Sequence, residues 1–216
     1  MPDSSRTAQQ VRDRFRSKAH QFDDLYEDER PLVRLLRPGL FRRRELAFDT
    51  VSALSMPSVL DVGCGSGRIG EFVLEAGAER YLGIDFAEPM VELARARLAR
   101  FGDRVELVAA DFLETRSAEQ FDVILALGFF DYLAEPDRFV SRMAELCAPG
   151  GCVVASFPAW SWLKGPIRKV RYEWIGRCPI FDYTADGITR LFTAHGFDRI
   201  ELLAPSAHGY LLRAWT

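Results

Sequence analysis

The sequence predicts an α/β fold in which a mostly parallel, doubly wound sheet carries helices on both faces behind a helical N-terminal cap. Three observations predict it. Between residues 58 and 157, short apolar strand-like runs alternate with stretches of helical periodicity. That rhythm is the signature of βαβ units with right-handed crossovers. A turn with glycines at every second position, Gly63, Gly65 and Gly67, joins the first strand to the first following helix. The chain has 216 residues, 48% of them hydrophobic and 27% charged, which suits one such domain with a substantial core.

The elements follow in order. From 8 to 26, Val11, Phe15, Ala19, Phe22 and Leu25 recur at steps of three and four, one face of a helix. Pro31, Pro38 and Gly39 break the next stretch into short pieces. Residues 41–54 read as a second helix, and Met56-Pro57 closes the cap. The division is therefore a cap over 1–55 and a main domain over 56–216. Strands are expected at 58–62, 80–85, 105–109, 121–127 and 152–157, with helices at 67–76, 88–100 and 137–147. Residues 148–151, Ala-Pro-Gly-Gly, stop the last of these helices. Residues 158–183 interrupt the rhythm as a lid-like insertion. A helix over 184–195 and strands over 197–203 and 208–215 finish the chain. The short link between these strands allows them to be antiparallel neighbours.

Composition excludes several classes. The formal net charge of −3 gives no basic excess, so no nucleic-acid partner is expected. Cys64, Cys147, Cys152 and Cys178 form no C-x-x-C pair and have no histidine at zinc-finger spacing. They read as reduced thiols in a cytoplasmic protein, with no metal. The first fifteen residues lack the apolar core of a signal peptide. The longest apolar run, 123–130, is too short to span a bilayer.

The strand-turn-helix over 59–70 lets a ligand touch backbone, because glycine accepts positive φ and lacks a Cβ. Residues 65–70 also fit G-x-G-x-x-G, the dinucleotide fingerprint. Asp61, two residues before the first glycine, suits a cationic ligand and repels a pyrophosphate. The spacing Asp61-x-Gly63-x-Gly65-x-Gly67, with Asp85 and Asp111 at the next strand ends, resembles the class I S-adenosylmethionine (SAM) dependent methyltransferases. The likeness covers about residues 56–157 well and the last strands loosely.

The resemblance implies a Rossmann-like fold with a seven-stranded sheet whose last strand is antiparallel. It implies transfer of a methyl group from SAM to a small-molecule acceptor by in-line displacement, leaving S-adenosylhomocysteine (SAH). Gly63, Cys64, Gly65 and Gly67 would hold the methionine part of SAM, with Asp61 near its ammonium. Asp85 would bind the ribose hydroxyls and Phe86 would lie against the adenine. Asp111 would reach the adenine amino group, with Phe112 packing on the ring. Backbone at Leu127 and Gly128 would lie beside the methionine part, and Tyr26 would touch the methionine carboxylate. Each has a plainer reading. Asp85 is also an N-cap for the helix after it, Asp111 a turn cap, and Tyr26 a packing residue of the cap.

Methyl transfer asks mainly for alignment, since the sulfonium is already activated. No Asn/Asp-Pro-Pro-Tyr/Phe and no Pro-Cys follows the fourth strand, which argues against those two nucleobase-methylating devices. Many small-molecule methyltransferases carry histidines there, whereas this chain has Phe130, Asp131 and Tyr132. Asp131 and Tyr132 are the candidate base or acceptor-positioning groups; the plainer reading of Asp131 is a turn residue. His195 reads as a helix-end cation, and His20 and His208 as surface. Two basic clusters remain: Arg30, Arg34, Arg37, Arg42, Arg43 and Arg44 in the cap, and Lys164, Arg168, Lys169 and Arg171 among Trp160, Trp162, Tyr172 and Trp174. They suit an anionic, aromatic or carrier-bound acceptor, or are solvated faces. The alternatives are an RNA or protein methyltransferase, a SAM-binding regulator without catalysis, and an NAD-binding protein.

Overall fold

The computed structural model describes residues 38–116, 119–133, 135–159, 181–206 and 209–216. The helix expected over 8–26, with His20 and Tyr26, lies outside them, as do Arg30, Arg34, Arg37, Cys178, His208 and the basic-aromatic stretch 160–180. In chain order the described elements are α1 (Pro38–Ser52), β1 (Ser58–Val62), α2 (Arg68–Glu75), β2 (Arg80–Asp85), α3 (Glu88–Leu98), β3 (Val105–Ala109), β4 (Phe121–Ala126), α4 (Pro136–Leu146), β5 (Cys147–Phe157), α5 (Ala185–Ala194), β6 (Arg199–Ser206) and β7 (Gly209–Trp215). 3-10 segments lie at Ala99–Arg104, with a kink at Gly102, and at Phe130–Tyr132.

The strands make one seven-stranded sheet in the order β3-β2-β1-β4-β5-β7-β6. All pairings are parallel except those of β7, which runs antiparallel to both β5 and β6. The strand order reverses between β1 and β4. A crevice therefore opens beyond the carboxyl ends of these strands, where open α/β sheets take ligands.

Two cores cover the two faces. Val59, Tyr81, Val123, Leu125 and Val154 pack with Leu46, Ala47 and Val51 of α1, Val73 and Leu74 of α2 and Leu98 of α3. Leu60, Val62, Leu82, Ile124 and Ala155 pack with Val140 and Met143 of α4 and Ile188 and Phe192 of α5. Consecutive residues of β1 point to opposite faces, the period-two alternation of a strand. Each fully buried aliphatic or aromatic side chain contributes about 1.5–3 kcal/mol.

Three boundaries differ from expectation for physical reasons. Pro38 opens α1 instead of breaking the chain, because the first-turn amide it lacks has no partner in a helix anyway. Strand β5 starts at Cys147, not 152. Cys147 sits opposite Phe121 and Cys152 opposite Val123, so the Ala-Pro-Gly-Gly stretch is a bulge within the strand. Thr216 pins it: its N–H donates to Gly151 O (3.2 Å), and its hydroxyl donates to Ala148 O (2.9 Å) and accepts the Gly150 N–H (3.1 Å). Thr184 stands just outside α5 as its N-cap, accepting the Gly187 N–H at 3.1 Å.

Candidate functional site

The turn after β1 is fastened by backbone. The N–H groups of Gly63 and Cys64 both donate to Ile84 O, at 2.8 and 3.1 Å. Gly63 and Gly67 both have φ of +76°, a left-handed conformation costly for other residues. Their missing side chains are also filled space. A Cβ on Gly63 would lie 2.9 Å from the Phe129 ring, and one on Gly67 would lie 3.0 Å from Ala94 Cβ. Arg97 of α3 reaches across and donates to Ser66 O at 2.6 Å.

Two carboxylates stand at the adjacent strand ends. Asp85 accepts the Gly65 N–H at 3.0 Å on one oxygen and the Ala87 N–H at 2.9 Å on the other. Burial pushes its carboxyl up, and these two donors pull it back. The N-cap position of α3 is Ala87, so Asp85 anchors the residue before the helix and ties it to the glycine turn. Asp61 is only 3% exposed. The Tyr81 hydroxyl donates to its Oδ2 at 2.8 Å. Burial pushes the Asp61 carboxyl up to about 7, with the Asp85 charge adding and the Tyr81 hydrogen bond opposing. Cys64 is buried between them, and desolvation with those two charges keeps its thiol protonated.

After β3, Asp111 caps a turn. Its Oδ1 accepts the Leu113 N–H at 3.0 Å, and its carbonyl accepts the N–H groups of Glu114 and Thr115, both at 3.0 Å. Phe112 is buried and stacks on Phe139 at 6.4 Å between centroids. Phe86 is half-buried against Ala87 and Met90.

The end of β4 is held by side chains instead. Leu127 is half-buried against the α1–α3 core. Gly128 has φ +79°, and its N–H donates to the buried Ser156 hydroxyl of β5 at 2.8 Å. Phe130 is fully buried, 4.2 Å from the Phe157 ring centroid and packed with Tyr183 and Phe192. That anchor fixes the 3-10 turn carrying the half-buried Asp131 and Tyr132. Arg43 of α1 lies beside the turn. Its Nη2 is 3.7 Å from Asp131 Oδ2, and its Nη1 would be 2.9 Å from a Cβ on Gly128. Asp131 O also accepts the Phe181 N–H at 3.1 Å, while Tyr183 donates its N–H to Pro158 O (3.0 Å) and its hydroxyl to Leu133 O (3.1 Å). Phe181 and Tyr183 are thus tied to the turn after β4, and Pro158 to Tyr183.

Beyond Gly128 lies a cleft of about 250 Å³ between α1, the end of β5 and the start of β7, lined among others by Arg42, Arg43, Glu45, Ser156 and Tyr210. No residue of the glycine turn lines it. The two regions meet at Gly128, whose amide is held by Ser156 from the cleft side.

A family model described as "Methyltransferase domain" matches residues 60–153. Ubiquinone biosynthesis O-methyltransferase of Bordetella avium (strain 197N) is 33% identical over 146 residues, which cover 67% of this chain and 58% of that protein. Among solved structures, magnesium protoporphyrin IX methyltransferase of Synechocystis PCC 6803 with bound SAH has a TM-score of 0.76 at 20% identity, covering 95% of this chain and 97% of that one. The 1,6-didemethyltoxoflavin-N1-methyltransferase of Burkholderia thailandensis has a TM-score of 0.73 at 21% identity, covering 100% and 91%.

By that family model, residues 60–153 of this chain are a methyltransferase domain. The chain spans about 58% of the length of the curated relative above.

Against that family frame, the expected residues divide into three groups. Asp61, Gly63, Cys64, Gly65, Gly67, Asp85 and Phe86 converge at the ends of β1 and β2. Leu127, Gly128, Asp131 and Tyr132 lie together at the end of β4. Asp111 caps the turn after β3, and Phe112 is buried in the core beside it. His195 caps the end of α5, with Nε2 3.1 Å from Asp137 Oδ1. Four contacts of this site escape sequence reasoning. These are Arg97 to the Ser66 carbonyl, Tyr81 to Asp61, Ser156 to Gly128, and Arg43 to Asp131. Tyr81 and Ser156 leave one signal, a hydroxyl within an otherwise apolar strand.

Proposed function

We propose that this chain binds SAM across the ends of β1 and β2 and moves its methyl group to a small-molecule acceptor that enters from the cleft lined by Arg42, Arg43 and Ser156. The observation that carries this reading is the pair Asp61 and Asp85 flanking a positive-φ glycine turn. Each Asp85 oxygen accepts one backbone N–H and keeps acceptor capacity for a ribose hydroxyl. Two acids at one crevice suit a cation bearing vicinal hydroxyls and oppose a pyrophosphate.

In this reading Asp61 faces the ammonium, and the backbone of Gly63–Gly67 and Leu127–Gly128 embraces the methionine part. Asp111, with Phe86 and Phe112, borders the adenine, and Tyr26 meets the methionine carboxylate. SAM supplies an activated methyl on sulfur. The chain's own residues align the acceptor, exclude water and, where the acceptor is protonated, receive its proton. In this reading Asp131 and Tyr132 serve that purpose, and Arg42 and Arg43 meet an anionic group on the acceptor. The relatives' name supports oxygen as the first acceptor atom to test. The buried free thiols of Cys64, Cys147 and Cys152 suit the reducing cytoplasm.

Calorimetric titration with SAM, SAH and NADH tests the reading. Micromolar binding of SAM and SAH, weakened by Asp85→Ala and absent for NADH, is expected, followed by SAH release in an acceptor screen of small anionic aromatics. Failure to bind SAM would overturn it. Binding without turnover on any acceptor would leave a SAM-binding regulator.

A further inference from the structure

Tyr81 ends in a polar group yet is fully buried. On the sheet it pairs with Val59, and Gly83 stands opposite Asp61. Tyr81 and Asp61 are therefore diagonal neighbours on one face, within reach of a long side chain. Two glycines make room for the ring. A Cβ on Gly83 would lie 3.0 Å from Tyr81 Cε1. Above, α2 crosses at Gly70, where a Cβ would lie 2.6 Å from Tyr81 Cζ and 2.7 Å from its hydroxyl oxygen. The slot ends with the hydroxyl donating to Asp61 Oδ2 at 2.8 Å. Phenylalanine would fill the same slot without burying a hydroxyl, so packing does not require tyrosine.

The surroundings of Asp61 otherwise oppose its charge. Its titratable neighbours are Tyr81 of β2, Asp85 at the end of β2 and Cys64 of the turn. Asp85 repels it and the Cys64 thiol is neutral. Leu125 stands opposite on β4, and it and Tyr81 belong to the apolar core formed with Leu46, Ala47 and Val51 of α1. Burial leaves the carboxyl titrating near neutrality, and the Tyr81 hydrogen bond is what favours the ionised form.

We propose that Tyr81 is a positioning residue for the cofactor, its hydroxyl holding Asp61 ionised and aimed at the ammonium of SAM. This rests on the proposed function. The test is calorimetry on wild type, Tyr81→Phe, Asp61→Asn and the double variant between pH 6 and 8. The ligands are SAM, SAH and 5′-methylthioadenosine; the last two are thioethers that differ in the amino acid end. Tyr81→Phe is expected to weaken SAM and SAH about tenfold at pH 7, the weight of one charge-assisted hydrogen bond. It is expected to leave methylthioadenosine within about twofold, which also shows that the variant is folded. The loss of SAM affinity on acidification should move to higher pH. In the Asp61→Asn background the same change should cost under about twofold. Equal losses for SAH and methylthioadenosine, or full additivity with Asp61→Asn, would overturn the proposal and leave Tyr81 a packing residue. A wild type that binds no SAM would instead overturn the functional reading beneath it.

Discussion

Around the ends of β1 and β2, backbone N–H groups of the turn fasten it to the adjacent strand β2. Gly63 and Cys64 hang from Ile84, and Gly65 hangs from Asp85. Around the ends of β4 and β5 the fasteners come from far away: Arg43 to Asp131, Ser156 to Gly128, Tyr183 to Leu133. The first region is a backbone cradle with buried carboxylates, stiff and costly to keep charged. The second is an aromatic anchor at Phe130 carrying a polar turn whose ion pair is long and half-exposed. Under the proposed function, a common ligand and a variable one ask for these two designs. A cradle of main chain changes little when side chains change, whereas a wall of side chains can be rewritten for each acceptor.

The sharpest break of the contrast is Gly67→Val. Positive φ and a 3.0 Å approach to Ala94 together cost about 4 kcal/mol, and the melting temperature should fall about 10 °C with loss of SAM binding. Asp61→Asn should act in the opposite direction on stability. The folded carboxyl, at about 7 against an ordinary 3.8, binds its proton more tightly than in the unfolded chain. Its contribution therefore falls as pH rises through that window. The ligand-free variant should be more stable than wild type at pH 8, by about 4 kcal/mol, with the gain fading towards pH 4. Thermal melts across that range read the slope, and equal slopes would mean that Asp61 is not desolvated. Arg43→Ala should spare the cradle, leaving SAM affinity within about twofold while lowering turnover of an anionic acceptor about tenfold. A fall in SAM affinity as large as the fall in turnover would erase the distinction between the regions. Thr184→Ala, which removes the cap of α5, should cost about 1 kcal/mol in melts and change neither ligand.

Much of this was legible early because it is local. The rhythm of strands and helices and the spacing of Asp61, Gly63, Gly65 and Gly67 lie within short windows, and each window carries its own geometry. The β5 bulge was not legible. Ala-Pro-Gly-Gly reads as a stop, and Thr216, 66 residues away from Gly150, turns it into strand. Asp111 shows a subtler limit. A carboxylate after a strand can cap its own turn or face a ligand, and the residues alone do not choose.

By itself, then, the amino-acid sequence determined the α/β class, the strand order along the chain and the glycine turn with its acids, because periodicity and backbone freedom are properties of neighbouring residues. The tertiary structure decided which hydroxyl reaches Asp61, which arginine meets Asp131 and where the cleft opens. Those depend on strand register and on helices laid across the sheet, which bring together residues such as Asp61 and Tyr81, 20 positions apart, through packing that no short window contains.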